Sequence, residues 1–161
     1  MDTSSLVALA VFIAINFVVA STGAAFRPGA WYAALRKPSW TPPNWAFPVV
    51  WSLLYCAIAV SGWLVWEAAG PAAWGALAVY GVSLMFNAAW SALFFGMRRL
   101  DWAMADVAAL WVSIAAVILV FAPISQTAAL LLVPYLVWVS IAATLNAKLL
   151  QLNGAKPATA A

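Results

Sequence analysis

Five long apolar runs, at 4–25, 44–66, 72–95, 102–121 and 126–149, constrain this chain more than any other feature. Each approaches or exceeds the roughly 20 apolar residues that carry a helix across the hydrocarbon core of a bilayer. None alternates apolar with polar residues, so a transmembrane barrel is excluded. Helices are then the only way to satisfy the backbone in lipid. Composition agrees: 68% of the residues are hydrophobic and 7% charged, whereas a soluble surface needs about a quarter charged residues. The expected fold is an all-α membrane protein, a five-transmembrane-helix bundle. It forms one domain over 1–153, with 26–43 as a long loop and an Ala-rich disordered tail at 154–161. No internal repeat stands out.

The connections after the second, third and fourth runs are minimal, which makes the 26–43 loop the exception to explain. The first run has Asp2 and no cation on its flank and is too long for a signal-peptide core, so it is expected to remain in the mature protein. With five crossings, one side of the membrane holds all seven cations: Arg27, Arg36, Lys37, Arg98, Arg99, Lys148 and Lys156. The positive-inside rule then predicts the N-terminus outside, with the long loop and the C-terminus inside. Anionic lipid headgroups are the expected partners of these cations. No basic stripe supports nucleic-acid binding.

Conventional catalytic chemistry has little to stand on. There is no histidine and one cysteine, Cys56, read as an inert packing residue, so no metal site or disulfide is expected. No carboxylate pair, Ser/His/Asp set, GxGxxG or P-loop appears, and no catalytic residue is assigned. Asp2, Glu67 and Asp101 fall at the ends of runs. Asp106 falls about one turn inside the fourth, where two readings stay open. It is a functional buried acid, or it complements the helix dipole and pairs with Arg98 or Arg99.

Aromatic and amide chemistry remains. At about 1.5 Å per residue, Trp51, Asn87, Trp90, Tyr135 and Trp138 fall at one level in the inner half of the bilayer, contributed by three helices. Trp63, Trp66 and Trp74 fall at the outer boundary and Trp45 and Trp102 at the inner one, where tryptophan is expected as a headgroup belt. Tyr135, Trp138, Val139, Ala142 and Asn146 share one helix face; so do Ser83, Asn87, Trp90 and Ser91, and so do Trp51 and Tyr55. Such stripes are usually core packing. Asn87 changes the balance, because an amide in hydrocarbon is unfavourable unless something satisfies it. Flat aromatic walls with an amide describe a pocket for a planar apolar ligand. Pro38, Pro42 and Pro43 keep the preceding loop extended, and Pro48 falls in a first helical turn where its missing N–H matters little. The loop carries Trp31, Tyr32, Arg36, Lys37 and Trp40 on the same side as the aromatic level. It reads as a lid or as an interfacial anchor. Pro134 is expected to kink the fifth helix.

The stretches WYAALRKPSWTPP (31–43), FPVVWSLLY (47–55), NAAWSALFFGMRR (87–99) and VPYLVWVSIAATLN (133–146) resemble the tryptophan-rich sensory protein family, TspO. Its animal member is the translocator protein or peripheral benzodiazepine receptor, and this chain looks like a bacterial member. The resemblance implies five transmembrane helices, a homodimer, and binding of porphyrins such as protoporphyrin IX or haem as ligand, with no obligatory cofactor. It also implies binding of cholesterol and of isoquinoline or benzodiazepine drugs in some members. Tetrapyrrole transport or regulation is the implied role, with photooxidative degradation of bound porphyrin in bacterial members. Tyr32, Trp51, Asn87, Trp90, Trp138 and Ala142 match the family's pocket positions. Tyr55 and Tyr135 join them through the aromatic level, and the lid cations Arg36 and Lys37 are placed to meet propionates. Animal members continue past the last Leu-Asn with a Tyr and an Arg. Here Leu145-Asn146 continues as Ala147, Lys148, Leu149, Leu150 and Gln151, which breaks that cholesterol motif. A sterol or lipid transporter, and a ligand-responsive scaffold regulating gene expression through a partner, are the alternatives. Ala88, Ala92 and Gly96 form a small-residue stripe suited to a dimer interface.

Overall fold

The computed structural model describes residues 2–26 and 28–155, and every regular element among them is helical. Helix α1 (Thr3–Ala25) begins at Asp2, whose carboxylate accepts from the Ser5 amide at 2.8 Å and the Ser4 hydroxyl at 2.9 Å. This satisfies one of the donors a helix start leaves free. A short α2 (Ala30–Ala34) follows inside the loop that sequence reasoning reads as extended. Pro28 precedes the helix and the next proline is Pro38, so 30–34 are free to coil.

Helix α3 (Ala46–Ala69) carries Pro48 in its first turn and ends at Gly70, whose φ of +51° suits a residue without Cβ. A 3-10 turn (Gly70–Ala73) leads into α4 (Trp74–Ser91), and α4 runs into a π turn (Ala92–Gly96) closed by Met97 N–H on the Ala92 carbonyl at 2.7 Å. Helices α3 and α4 double back on each other. Trp66 meets Trp74 edge-on at 6.0 Å, and the Tyr80 hydroxyl donates to the Ile58 carbonyl at 3.2 Å.

Helix α5 (Leu100–Phe121) is followed by α6 (Gln126–Leu131), capped by the Ser125 hydroxyl, and α7 (Val133–Asn153). The expected kink at Pro134 is a break between two helices. Proline has no N–H for the preceding turn, the Leu132 amide bonds three residues back to Ala129, and the regular pattern resumes at Leu136.

Among the described residues, four helical stretches are long and apolar enough to cross a membrane: Thr3–Ala25, Ala46–Gly96, Leu100–Phe121 and Gln126–Asn153. The second is 51 residues long, and it is the doubled-back α3–α4 pair. Large apolar side chains stand exposed on the outside, among them Phe17 at 73% and Leu119 at 74%. In water that surface would aggregate; in lipid it is solvated. The chain is a multi-pass helical membrane protein.

Inside, α5 packs along α4 and α7, α1 along α3 and α4, and α6 against α3. Ile58, Val107, Ile114, Val117, Phe121 and Tyr135 are almost fully buried between them. Gly62 lets α1 approach α3: a Cβ there would stand 2.7 Å from the Phe12 ring and 3.2 Å from Tyr80. Two sequence readings need correction. Cys56 is exposed on the lipid-facing side of α3 instead of packed. Arg99 pairs with Asp101 through both of its carboxylate oxygens, at 2.5 and 2.8 Å, and with no acid deeper in the span. Its guanidinium also covers the Trp102 ring. Arg27 and the tail from Lys156 onward lie outside the described residues. The Ala155 carbonyl accepts from the Leu100 amide at 3.0 Å.

Candidate binding site

Three helices meet at Asn87. It is buried on α4, and its amide is held from both sides: the Tyr55 hydroxyl of α3 donates to Oδ1 at 2.6 Å, and Nδ2 donates to the Tyr135 hydroxyl of α7 at 2.6 Å. Facing acceptor and donor satisfy each other here, so the amide tolerates hydrocarbon. Each of these polar atoms keeps hydrogen-bonding capacity in reserve: one N–H and one lone pair remain on the amide. The Trp51 ring lies on the same group, 5.4 Å from Tyr55 and 6.0 Å edge-on from Tyr135. Trp51, Tyr55, Asn87 and Tyr135 thus form one cluster.

A second aromatic group lies on the side of α2. Trp90 stacks on Phe94 at 4.8 Å and meets Phe95 edge-on at 5.8 Å. From α2, Trp31 contacts Phe94, and Tyr32 contacts both Phe94 and Phe95 at 6.1 and 5.6 Å. The π turn contributes to this arrangement. By widening the helix after Ser91 it turns two consecutive phenylalanines onto one cluster, a distortion often found at functional sites. Trp31, Tyr32 and Leu35 are buried, whereas Trp40 is exposed. The Trp31 and Trp90 indole nitrogens are buried without a partner among the described residues.

The segment after α2 is latched to the end of α7. The Asn153 amide accepts from the Arg36 backbone N–H at 2.9 Å and donates to its carbonyl at 2.9 Å, while the Arg36 guanidinium donates to the Leu152 carbonyl. Lys37 donates to the Ala33 and Leu35 carbonyls and lies 4.6 Å from the centre of the Tyr32 ring. Burial pushes the Tyr32 phenol up and the Lys37 ammonium down from their ordinary values. Sequence reasoning missed Asn153, Phe94 and Phe95. The only signal for Asn153 was a polar amide in the last turn before Gly154.

Trp138 belongs to neither aromatic group. It meets Phe47 edge-on at 5.8 Å and lines an apolar groove of about 430 Å³ with Val50, Leu53, Leu54, Val133, Pro134, Val137 and Ile141. Ala142, one turn beyond Trp138, is half-buried. On α4, Ala88 and Ala92 are half-buried, and a Cβ on Gly96 would stand 2.9 Å from the Phe26 ring of the same chain. Asp106 is buried, with Oδ2 unpartnered among the described residues. Those residues hold no cluster of His, Cys, Asp and Glu suited to a metal ion.

A doubled-back helical bundle with an amide-centred aromatic core and an aromatic loop latched to its last helix defines a membrane protein built around rings. The chain belongs to the TspO/MBR family, whose model matches residues 7–152. It is 41% identical to the protein CrtK of Rhodobacter capsulatus over 96% of this chain and 99% of that one. It is 38% identical to the tryptophan-rich sensory protein of Cereibacter sphaeroides, over 91% of each. With the human translocator protein it shares 40% identity over 72% of this chain and 70% of that one.

Proposed function

We propose that this protein is a membrane receptor for planar apolar guests of the porphyrin class, serving tetrapyrrole transport or regulation. The observation that carries the reading is the Asn87 amide, held between two tyrosine hydroxyls beside the Trp51 ring in the membrane interior. Rings offer a flat guest dispersion and edge-to-face contact. The spare N–H and lone pair of Asn87 orient it through hydrogen bonds of about 0.5–1.5 kcal/mol each. Trp51, Tyr55, Asn87, Trp90, Tyr135, Trp138 and Ala142 supply the walls, with Tyr32, Trp31 and Trp40 on the lid. When the lid swings out, Arg36 and Lys37 are free to meet propionates. The chain has no histidine to ligate a haem iron, so metal-free porphyrin binds at least as well as haem. Photooxidation of a bound porphyrin beside these indoles needs no acid or base from the chain.

The same proposal includes five crossings, because the doubled-back Ala46–Gly96 stretch passes the bilayer twice. That count places every cation on one side, with the N-terminus outside and the lid and C-terminus inside. It also includes a homodimer through Ala88 and Ala92, since Phe26 already covers Gly96. A sensory scaffold is the second reading, favoured by the name of the Cereibacter relative. Cholesterol and isoquinoline or benzodiazepine drugs are secondary ligands. Titrating metal-free protoporphyrin, haem and cholesterol against the protein in one detergent tests the order. Porphyrin tightest supports the receptor reading; cholesterol binding with no porphyrin binding overturns it in favour of a sterol transporter.

A further inference from the structure

The groove between α3 and α7 is lined entirely by apolar side chains, and four of them, Leu53, Val133, Val137 and Ile141, are among the exposed hydrophobics of the surface. Pro134 opens it, since the helix break parts α7 from the α6 direction at this point. Along α7 the face does not stop at Ile141. Seven residues on, at the same helical angle, stands Lys148, exposed and donating to Gln151 Oε1 at 3.1 Å.

The axial distance from Val133 to Lys148 is about 22 Å at 1.5 Å per residue. One leaflet, headgroup included, is about 20–22 Å deep. The groove itself runs about 12 Å along α7, from Val133 to Ile141, and the exposed Thr144 and Lys148 continue its face, so apolar walls followed by a cation at one leaflet's depth match the charge pattern of a single lipid. A second copy of the chain would need an apolar partner along the whole face and would bury Lys148 against it without an acid, which is unfavourable. We propose that this groove holds one anionic glycerophospholipid of the inner leaflet, an acyl chain lying between α3 and α7 and its phosphate on Lys148. The long lysine stem follows the helix while its ammonium stays at headgroup level. This assignment takes its leaflet from the orientation proposed above and shares Trp138 with the proposed porphyrin walls, while the Asn87 cluster contributes nothing to it.

Native mass spectrometry of the full chain, released from micelles containing equal phosphatidylglycerol and phosphatidylcholine, tests it. The proposal expects one phosphatidylglycerol retained per chain, about fivefold over phosphatidylcholine, the ~1 kcal/mol of one cation near an anionic surface. Lys148→Gln should reduce that preference to near unity. Val137→Phe, which fills the groove at an exposed position, should lower retention of both lipids. Equal retention of the two lipids by the unaltered protein overturns the proposal, as does a preference unmoved by Lys148→Gln. Loss of a dimer mass in Val137→Phe with lipid retention unchanged assigns the groove to a second copy. One-for-one displacement of phosphatidylglycerol by protoporphyrin assigns it to the porphyrin.

Discussion

Of the three asparagines buried among the described residues, Asn16, Asn87 and Asn146, the first two are bonded to a tyrosine hydroxyl, yet their surroundings differ. Asn16 on α1 donates both N–H groups within the protein, to the Phe12 carbonyl at 2.9 Å and the Tyr80 hydroxyl at 2.7 Å. Tyr80 passes its own proton to the Ile58 carbonyl, so the chain of bonds ends on backbone. The Phe12 ring meets Tyr80 edge-on, and Gly62 admits both with no room for a methyl group. Asn16 Oδ1 is buried without a partner among the described residues, whereas both ends of the Asn87 amide are bonded to tyrosine hydroxyls and the group is flanked by the Trp51 ring. The same residue type thus serves a seam closed by packing at Gly62 in one place and a tyrosine-bridged aromatic cluster in the other, and what distinguishes them is the packing around the amide.

The largest effect falls on the closed seam. Gly62→Val puts branched carbons into the Phe12 and Tyr80 rings and should destabilise the bundle by about 1–3 kcal/mol, read as a lower thermal midpoint in detergent. The folded fraction should bind porphyrin as before. Next is Asn87→Leu, which removes the orienting amide and leaves two tyrosine hydroxyls without it. Porphyrin affinity should fall about tenfold, the equivalent of ~1.4 kcal/mol. Asn16→Leu should leave that affinity within twofold, and equal losses in both variants would erase the distinction drawn here.

The lid latch gives a smaller effect. Asn153→Ala removes two hydrogen bonds to the Arg36 backbone, together about 1–3 kcal/mol, partly offset by the remaining Arg36 contact with Leu152. Faster amide exchange over 30–36 with the spans unchanged is the expected readout; unchanged exchange would show that the aromatic contacts alone hold the lid. Smallest is the cap of α1. Backbone and hydroxyl donors hold the Asp2 carboxyl below its ordinary value, the largest contribution coming from the Ser5 amide. A depressed folded value means that the cap's contribution is present at neutral pH and lost as pH falls through the acid range. Protection of the Ser5 amide should drop there, and it should not drop in Asp2→Asn.

Much of this architecture is legible in composition and spacing. The apolar runs coincide with helices to within a few residues, because burial in lipid requires both an apolar surface and a closed backbone. The discrepancies have local causes. The run ending at Trp66 continues to Ala69 because Glu67 is exposed at the helix end, where charge does not stop hydrogen bonding. The run ending at Leu149 continues to Asn153 because the terminus is decided by the latch and by Gly154. Helix α2 and the π turn leave no hydropathy signature, since each depends on contacts with residues distant in sequence. At the site, the alliance of Tyr55, Asn87 and Tyr135 follows from helical phase, and the three do meet. The separation of Trp138 from Trp51, one facing the groove and the other the amide, depends on how α3 and α7 splay and could not be read from spacing.

The most direct test of the proposed ring-lined receptor compares two pairs of tryptophans by porphyrin titration. Trp51→Phe with Trp138→Phe alters the aromatic walls, and Trp66→Phe with Trp74→Phe alters a pair at the α3–α4 turn. Weakening of at least tenfold in the first double variant, with unchanged affinity in the second, is the predicted result. Equal affinity in both, matching the unaltered protein, would contradict it.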